Sequence, residues 1–277
     1  MHSKGSRRPG AVALAAAAGT FAVGLLTAFV GTSAGATTAA QHPGWEQSVR
    51  GGGAQAGSGE GGGKSAGTPK RKPRPPKANR ALSHHSEAGG HSVALTLDDG
   101  PHPEWTPKTL DLLKRYHIKA TFCLIGPNAE RYPDLVRRIV AEGHRLCDHS
   151  VDHDTGMDHK SVAYQKKQIL DAKAQIDKAS GGARIYYYRA PGGAFTPDSR
   201  RIAAGQGMRP LGWIVDPGDW QRPGADVILR KAKEQVEDGA VVLFHDGGGD
   251  RSQSYEALKS FLPWLQDQGY GFSFPQA

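Results

Sequence analysis

Two adjacent carboxylates, Asp98 and Asp99, close an apolar run and lead into Gly100-Pro101. Neighbouring carboxylates stay ionised together only at a cost unless a cation is near. One of them can hold a metal while the other serves as a base; the competing reading is a plain Asp-Asp-Gly turn. Further along, His149-Ser150-Val151-Asp152-His153 sets two imidazoles four residues apart. That spacing brings both to one ion if the segment makes a helical turn; otherwise they are loop or surface histidines. One acidic ligand with two histidines is an open catalytic zinc set that leaves room for water. His245 ends the run Ala240-Val241-Val242-Leu243-Phe244. It is either a satisfied core histidine or, with Asp216 or Asp219 to orient it and hold its charge, a general acid.

The elements that must carry these groups alternate in type. β-rich runs fall at 93–97, 120–125, 145–148, 186–189, 210–215 and 240–244, with a short final one at 271–274. Helical stretches fall at 107–116, 133–142, 161–179, 197–204, 226–237 and 253–267. In the third of these Val162, Ile169 and Ile176 recur every seven residues and Gly181 supplies a stop. Alternation of this kind predicts an α/β fold on a parallel sheet. The pattern leaves open whether the sheet is doubly wound or closed into a small barrel. In both cases ligands bind at the C-terminal ends of the strands, and there the sequence places Asp98-Asp99, Asp148-His149, Arg189, Asp216 with Asp219, and His245-Asp246.

Five strings make the reading specific. Thr96-Leu97-Asp98-Asp99-Gly100-Pro101, His149-Ser150-x-x-His153, Arg189-Ala190-Pro191-Gly192, Asp216-x-x-Asp219-Trp220 and Leu243-Phe244-His245 occur in that order. The segment from about 91 to 274 thereby resembles the polysaccharide deacetylases, carbohydrate esterase family four. The resemblance implies a distorted (β/α)7-type barrel and a divalent metal, zinc before cobalt. It implies Asp99, His149 and His153 as metal ligands, Asp98 as the base with Arg189 paired to it, and His245 as the acid with Asp219 as its partner. It matches Gly192 to the backbone N–H of an oxyanion site and Trp220 and Leu243 to the acetyl pocket, with Asp216 in the motif but without a definite role. The family's third motif often reads Arg-Pro-Pro-Tyr. Here the aromatic is missing, so the pocket is expected to be more open, with Phe195 as a candidate substitute. His102, His117, His144 and His159 are read as bland, with His102 near enough to Asp99 to line a rim.

The implied reaction is metal-dependent removal of N-acetyl groups from an N-acetylglucosamine polysaccharide such as peptidoglycan or chitin. The alternatives are O-deacetylation of a xylan-like polysaccharide and a non-catalytic wall-binding protein.

Composition divides the chain into 1–40, 41–90 and 91–277. The first part has Lys4, Arg7 and Arg8, an apolar run over 11–30 and Ala34-Gly35-Ala36, as a cleaved export signal or an N-terminal membrane anchor would. The second is rich in Gly, Ser, Pro and Lys/Arg and reads as a disordered linker. Its stretch 69–77 is a stiff cationic spacer, either a soluble tether or a segment attracted to anionic wall polymer or lipid. The third is the catalytic domain, expected to be extracellular or wall-associated and monomeric. Of 35 Lys+Arg and 27 Asp+Glu, 11 and 3 fall in 1–90, leaving 24 of each for the remainder. The basic pI therefore belongs to the N-terminal part, and nucleic acid is excluded as a partner of the neutral domain. Cys123 and Cys147 are the only cysteines. In an exported protein they are either a disulfide or two small core residues.

Overall fold

The computed structural model describes residues 77–277. The leader or anchor expected over 1–40, and the linker as far as residue 76, lie outside the described residues. β1 (Ser92–Asp98) is followed by α1 (Trp105–Arg115), β2 (Thr121–Leu124), α2 (Gly126–Arg131), α3 (Pro133–Ala141) and β3 (Arg145–Asp148). Then come α4 (Val162–Ser180), β4 (Ile185–Tyr188), α5 (Pro197–Gly205), β5 (Arg209–Pro210), α6 (Ala225–Gln235), β6 (Val241–His245), α7 (Ser252–Asp267) and β7 (Gly271–Phe272).

The sheet runs β5-β4-β3-β2-β1-β6, with every pair parallel and β7 beside the start of β1. It curls until Val215 meets Val242 in a parallel bridge, so the expected distorted barrel is the fold found. β1 is buried at all seven positions, as a strand covered on both faces must be. Its Val93, Leu95 and Leu97 join the large core under the helices, whereas Ala94 belongs to a second cluster with Cys123, Cys147, Tyr187, Leu211 and Val241. Alternation along the strand puts Asp98 on the same face as Ala94 and Thr96. Cys123 and Cys147 are register partners on β2 and β3 and form a disulfide, which resolves the cysteine alternatives.

Helix α4 is capped as its sequence suggests: Ser161 Oγ accepts from the Tyr164 N–H, and Gly181 ends it with φ 73°. Val162 is not part of its core stripe. It stands on the first turn, 43% exposed, while Ile169 and Ile176 are fully buried.

Three expectations need correction. The strand expected over 210–215 is two residues of β5 plus the bridge at Val215, because the stretch around Gly212 pairs with an outside segment instead. A helix, α2, lies where none was expected; it opens on Gly126-Pro127 and is only six residues long. Most consequential, the part of the expected linker from 77 to 90 is built into the domain. Ser83 pairs with Leu211, His85 with Ala240 and Ser86 with Pro275. Gly212 N donates to Ser83 O at 2.8 Å and Val241 N to His84 O at 2.9 Å. This strap fills the seam between β5 and β6, and Ser83 and Ser86 are buried. Its polar composition hides that role, since it is held through backbone groups and not through apolar side chains.

Candidate active site

A cavity of about 510 Å³ opens at the C-terminal ends of the strands, and Asp98, Asp99, His149, His153, Arg189, Gly192, Asp216, Trp220, Leu243 and His245 all line it. Of the site residues expected from the motifs only Asp219 is not in the lining; it stands behind His245.

Asp98 ends β1, where its Oδ1 accepts from Arg189 Nη1 at 2.6 Å. Arg189 is wholly buried. Its remaining donors reach Thr96 Oγ1 at 2.9 Å, Leu211 O at 3.3 Å and Gly212 O at 3.1 Å. A guanidinium with four of its five N–H groups engaged in this way is a fixed fork that holds one oxygen of Asp98.

Asp99 follows in the left-handed region, with φ 72°. His149 Nε2 lies 3.5 Å and His153 Nε2 3.1 Å from Asp99 Oδ1. That oxygen is buried and has no hydrogen-bond partner. His149 Nδ1 lies 2.8 Å from the Arg189 carbonyl, which can only accept, so Nδ1 carries the proton. Burial lowers the His149 pKa against the nearby carboxylates and so favours the neutral ring. Nε2 is then a lone pair facing a carboxylate oxygen, two acceptors with nothing between them. A cation resolves that conflict, and one Asp and two His ligand atoms within 4.8 Å of one another are a suitable donor set. The residues present therefore fit a divalent metal. Burial also raises the Asp99 pKa, but the close His153, His149 and His245 outweigh it and hold the carboxyl below its usual range.

The turn carrying His149 and His153 is irregular, not helical; Ser150 and His153 both have positive φ. Gln168 of α4 holds it, its Oε1 accepting from the Val151 and Asp152 N–H groups at 3.0 and 2.9 Å.

On the other side of the cavity His245 Nδ1 lies 2.7 Å from Asp219 Oδ1, and the His245 N–H donates to Asp219 Oδ2 at 2.9 Å. Burial lowers the His245 pKa, but the Asp219 charge and hydrogen bond overcome it and the net value is about 9. This is a histidine kept protonated at neutral pH. Asp216 accepts from the Gly218 N–H through Oδ1 and shapes the turn that delivers Asp219.

Gly192 has φ 58°, and among the described residues no backbone carbonyl accepts its N–H, while Gly193 and Ala194 next to it donate to Ala190 O and Pro191 O. Phe195 does not take the place of the missing aromatic; it packs edge-on against Tyr188. Thr155 and Trp213 stand there instead. Thr155 is 3.1 Å from where a Gly192 Cβ would be, Trp213 is 3.2 Å from that of Gly193, and both line the cavity. Trp220 sits at the rim, 53% exposed, and Leu243 is buried. His102 faces no part of the cavity lining; its Nδ1 accepts from the Glu104 and Trp105 N–H groups at the start of α1.

The profile of the polysaccharide deacetylase family matches residues 85–211. A chitooligosaccharide deacetylase from Sinorhizobium fredii is 36% identical over 197 residues, covering 67% of this chain and 90% of that one. The chain belongs to the polysaccharide deacetylase family. A second family member, a peptidoglycan-N-acetylglucosamine deacetylase from Bacillus cereus, is 37% identical over 182 residues, covering 65% of this chain and 84% of that one. A solved peptidoglycan N-acetylglucosamine deacetylase, in complex with a naphthalenyl N-hydroxybenzamide, superposes with a TM-score of 0.64 at 33% identity over 70% of this chain and 89% of that one. This polysaccharide deacetylase chain thus shares fold as well as sequence with its relatives.

Sequence reasoning missed several residues around the site: Thr155, Trp213, Gln168 and Arg251. None lies in a motif of chemical residues. Trp213 alone carried a signal, as an aromatic inside the run expected as a strand over 210–215, three residues before Asp216.

Proposed function

We propose that this chain hydrolyses the N-acetyl groups of N-acetylglucosamine-containing polysaccharide and releases acetate. One observation carries the reading: the Asp98–Arg189 and Asp219–His245 pairs border one cavity with Asp99, His149 and His153 among its walls. The fixed base and the protonated acid then serve opposite ends of one hydrolysis. Asp99, His149 and His153 would hold a divalent ion, zinc before cobalt. When bound, that ion supplies positive charge that polarises an amide carbonyl and makes water a stronger nucleophile at neutral pH.

Asp98 takes a proton from the attacking water as the water oxygen bonds to the amide carbon. The Gly192 N–H, which no backbone carbonyl among the described residues accepts, would donate to the oxygen that becomes negative. The carbon–nitrogen bond then breaks, and the sugar nitrogen takes a proton from His245, leaving a free amine and acetate. Leu243 and Trp220 border the acyl group, with Thr155 and Trp213 in the space an aromatic would fill.

Acetate release from N-acetylglucosamine oligomers and from peptidoglycan, measured before and after chelation and after zinc return, tests the proposal. Metal-dependent release from either supports it. Release from acetylated xylan alone moves the activity to esters, and no release from any of the three sinks the enzymatic reading.

The charge pattern and apolar run of 1–40 support export, with the basic 69–77 stretch holding the enzyme near anionic wall polymer. Fractionation of cells expressing the chain with and without residues 1–40 tests the first point. Loss of wall binding on adding salt tests the second.

A further inference from the structure

We propose that Arg251 is a positioning residue for Asp99, acting through the Gly247-Gly248 turn that follows β6. The inference rests on the reading of Asp99 as a metal ligand. Asp99 holds a left-handed conformation, which costs a residue with a Cβ more than glycine even though Asp tolerates it better than most. A Cβ on Gly247 would lie 2.1 Å from the Asp99 carbonyl oxygen and 2.3 Å from its carbon. A Cβ on Gly248, where φ is +74°, would lie 2.6 Å from Asp99 Oδ2 and 3.0 Å from Arg251 Nη2. Two bare backbone units are therefore pressed onto the main chain and the carboxylate of Asp99, and only glycine fits at either.

Arg251 fastens this clasp through the carbonyls of both glycines. Its Nε donates to Gly247 O and its Nη2 to Gly248 O at 3.1 Å. The side chain is buried, 6% exposed, and lines the same cavity as Asp99. A guanidinium taken out of water needs firm acceptors, and here two are the carbonyls of the turn that covers Asp99. Gly248 lies against the Oδ2 side of the carboxylate, and Oδ1 is the buried oxygen that faces His149 and His153. The clasp begins one residue after Asp246, whose N–H donates to Asp98 O at 3.1 Å, so it also ties the His245 strand to the carboxylate pair.

The test is zinc affinity, measured calorimetrically on the metal-stripped protein, together with its thermal melting. Arg251→Met and Gly248→Ala are expected to weaken zinc binding about 10- to 100-fold, the range for loss of a residue that orients a ligand, and Arg251→Lys by less. Gly249→Ala is the control for backbone strain: φ there is +122°, but its Cβ meets nothing within 4 Å. It is expected to change affinity less than about 3-fold, well short of that range. Equal losses at Gly248 and Gly249 would assign the effect to strain and overturn the clasp, as would an Arg251→Met protein that binds zinc like the wild type. If Gly248→Ala fails to fold, Arg251→Met against Arg251→Lys decides alone. A wild type that binds no zinc overturns the ligand reading of Asp99, and this inference with it.

Discussion

His245 is the side chain whose environment makes the sharpest statement about pH. Burial works against its charge, Asp219 works for it more strongly, and the value settles at about 9. Because the folded value lies above the ordinary one near 6.5, the acid stays loaded through neutrality and is lost as pH rises through about 9. The rate should therefore fall on the alkaline side, with a bound dication drawing that limb lower. In Asp219→Asn the limb should move down by about 1 to 3 pH units, the usual effect of losing an adjacent opposite charge; a pH–rate profile reads both. Stability follows the same sign. The His245 contribution is fully present below pH 6.5 and disappears as pH rises towards about 9, so melting of metal-free His245→Gln should depend less on pH across that window. At the other end of the reaction, Asp98→Asn should lose turnover by about 100- to 10,000-fold, the range a positioned base commonly gives, while keeping its zinc. Asp99→Asn should lose the zinc, and metal analysis of the two proteins separates the roles. These residues were legible in sequence because chemistry leaves its groups in recognisable types. Arg251 and Thr155 were not, since one acts by gripping carbonyls and the other by filling space, and neither leaves a pattern.

At the scale of elements, α4 does more than bury Ile169 and Ile176. Through Gln168 it holds the two N–H groups that fix the irregular turn between His149 and His153. Gln168→Leu removes the acceptor of both part-buried donors; it should cost about 0.5–1.5 kcal/mol of stability and about 10-fold in zinc affinity, read by melting and calorimetry. The β2–β3 disulfide stands one residue before Asp148 and two before His149. Replacing both cysteines by Ala should lower stability by about 2–4 kcal/mol, measured by denaturant unfolding. The helices and most strands were readable from apolar periodicity and stops. The four-residue spacing of His149 and His153 would converge on one ion in a helical turn; here two residues at positive φ produce the convergence by another route.

At the scale of the whole domain, the barrel is incomplete without residues 83–86. A chain beginning at His91, where the β-rich texture starts, would leave the N–H groups of Gly212 and Val241 without their acceptors. It would also loosen the segment whose Leu211 and Gly212 carbonyls hold Arg189. Compared with a chain beginning at Lys77, it should melt about 10 °C lower, as a loss of several kcal/mol implies for a domain of this size, and be slower in catalysis. Scanning calorimetry and initial rates check the two statements. The alternation of elements announced a parallel sheet, and the motifs announced which end of it carries the site. What closes the sheet was illegible, because backbone pairing can recruit any polar stretch.

The strap has a temporal consequence as well. Residues near the start of the domain find their partners only at 210–212, 239–241 and 275–276, contacts that span more than half of the described chain. Such separations put a large loop-closure entropy ahead of the bonds that repay it. The seam is then the last part of the barrel to form, completed only when the final residues are available. A chain threading outward from its N-terminus would leave Arg189 unsupported until residues 210–241 had emerged, and the seam's last contacts, at 275–276, unmade until its final residues had.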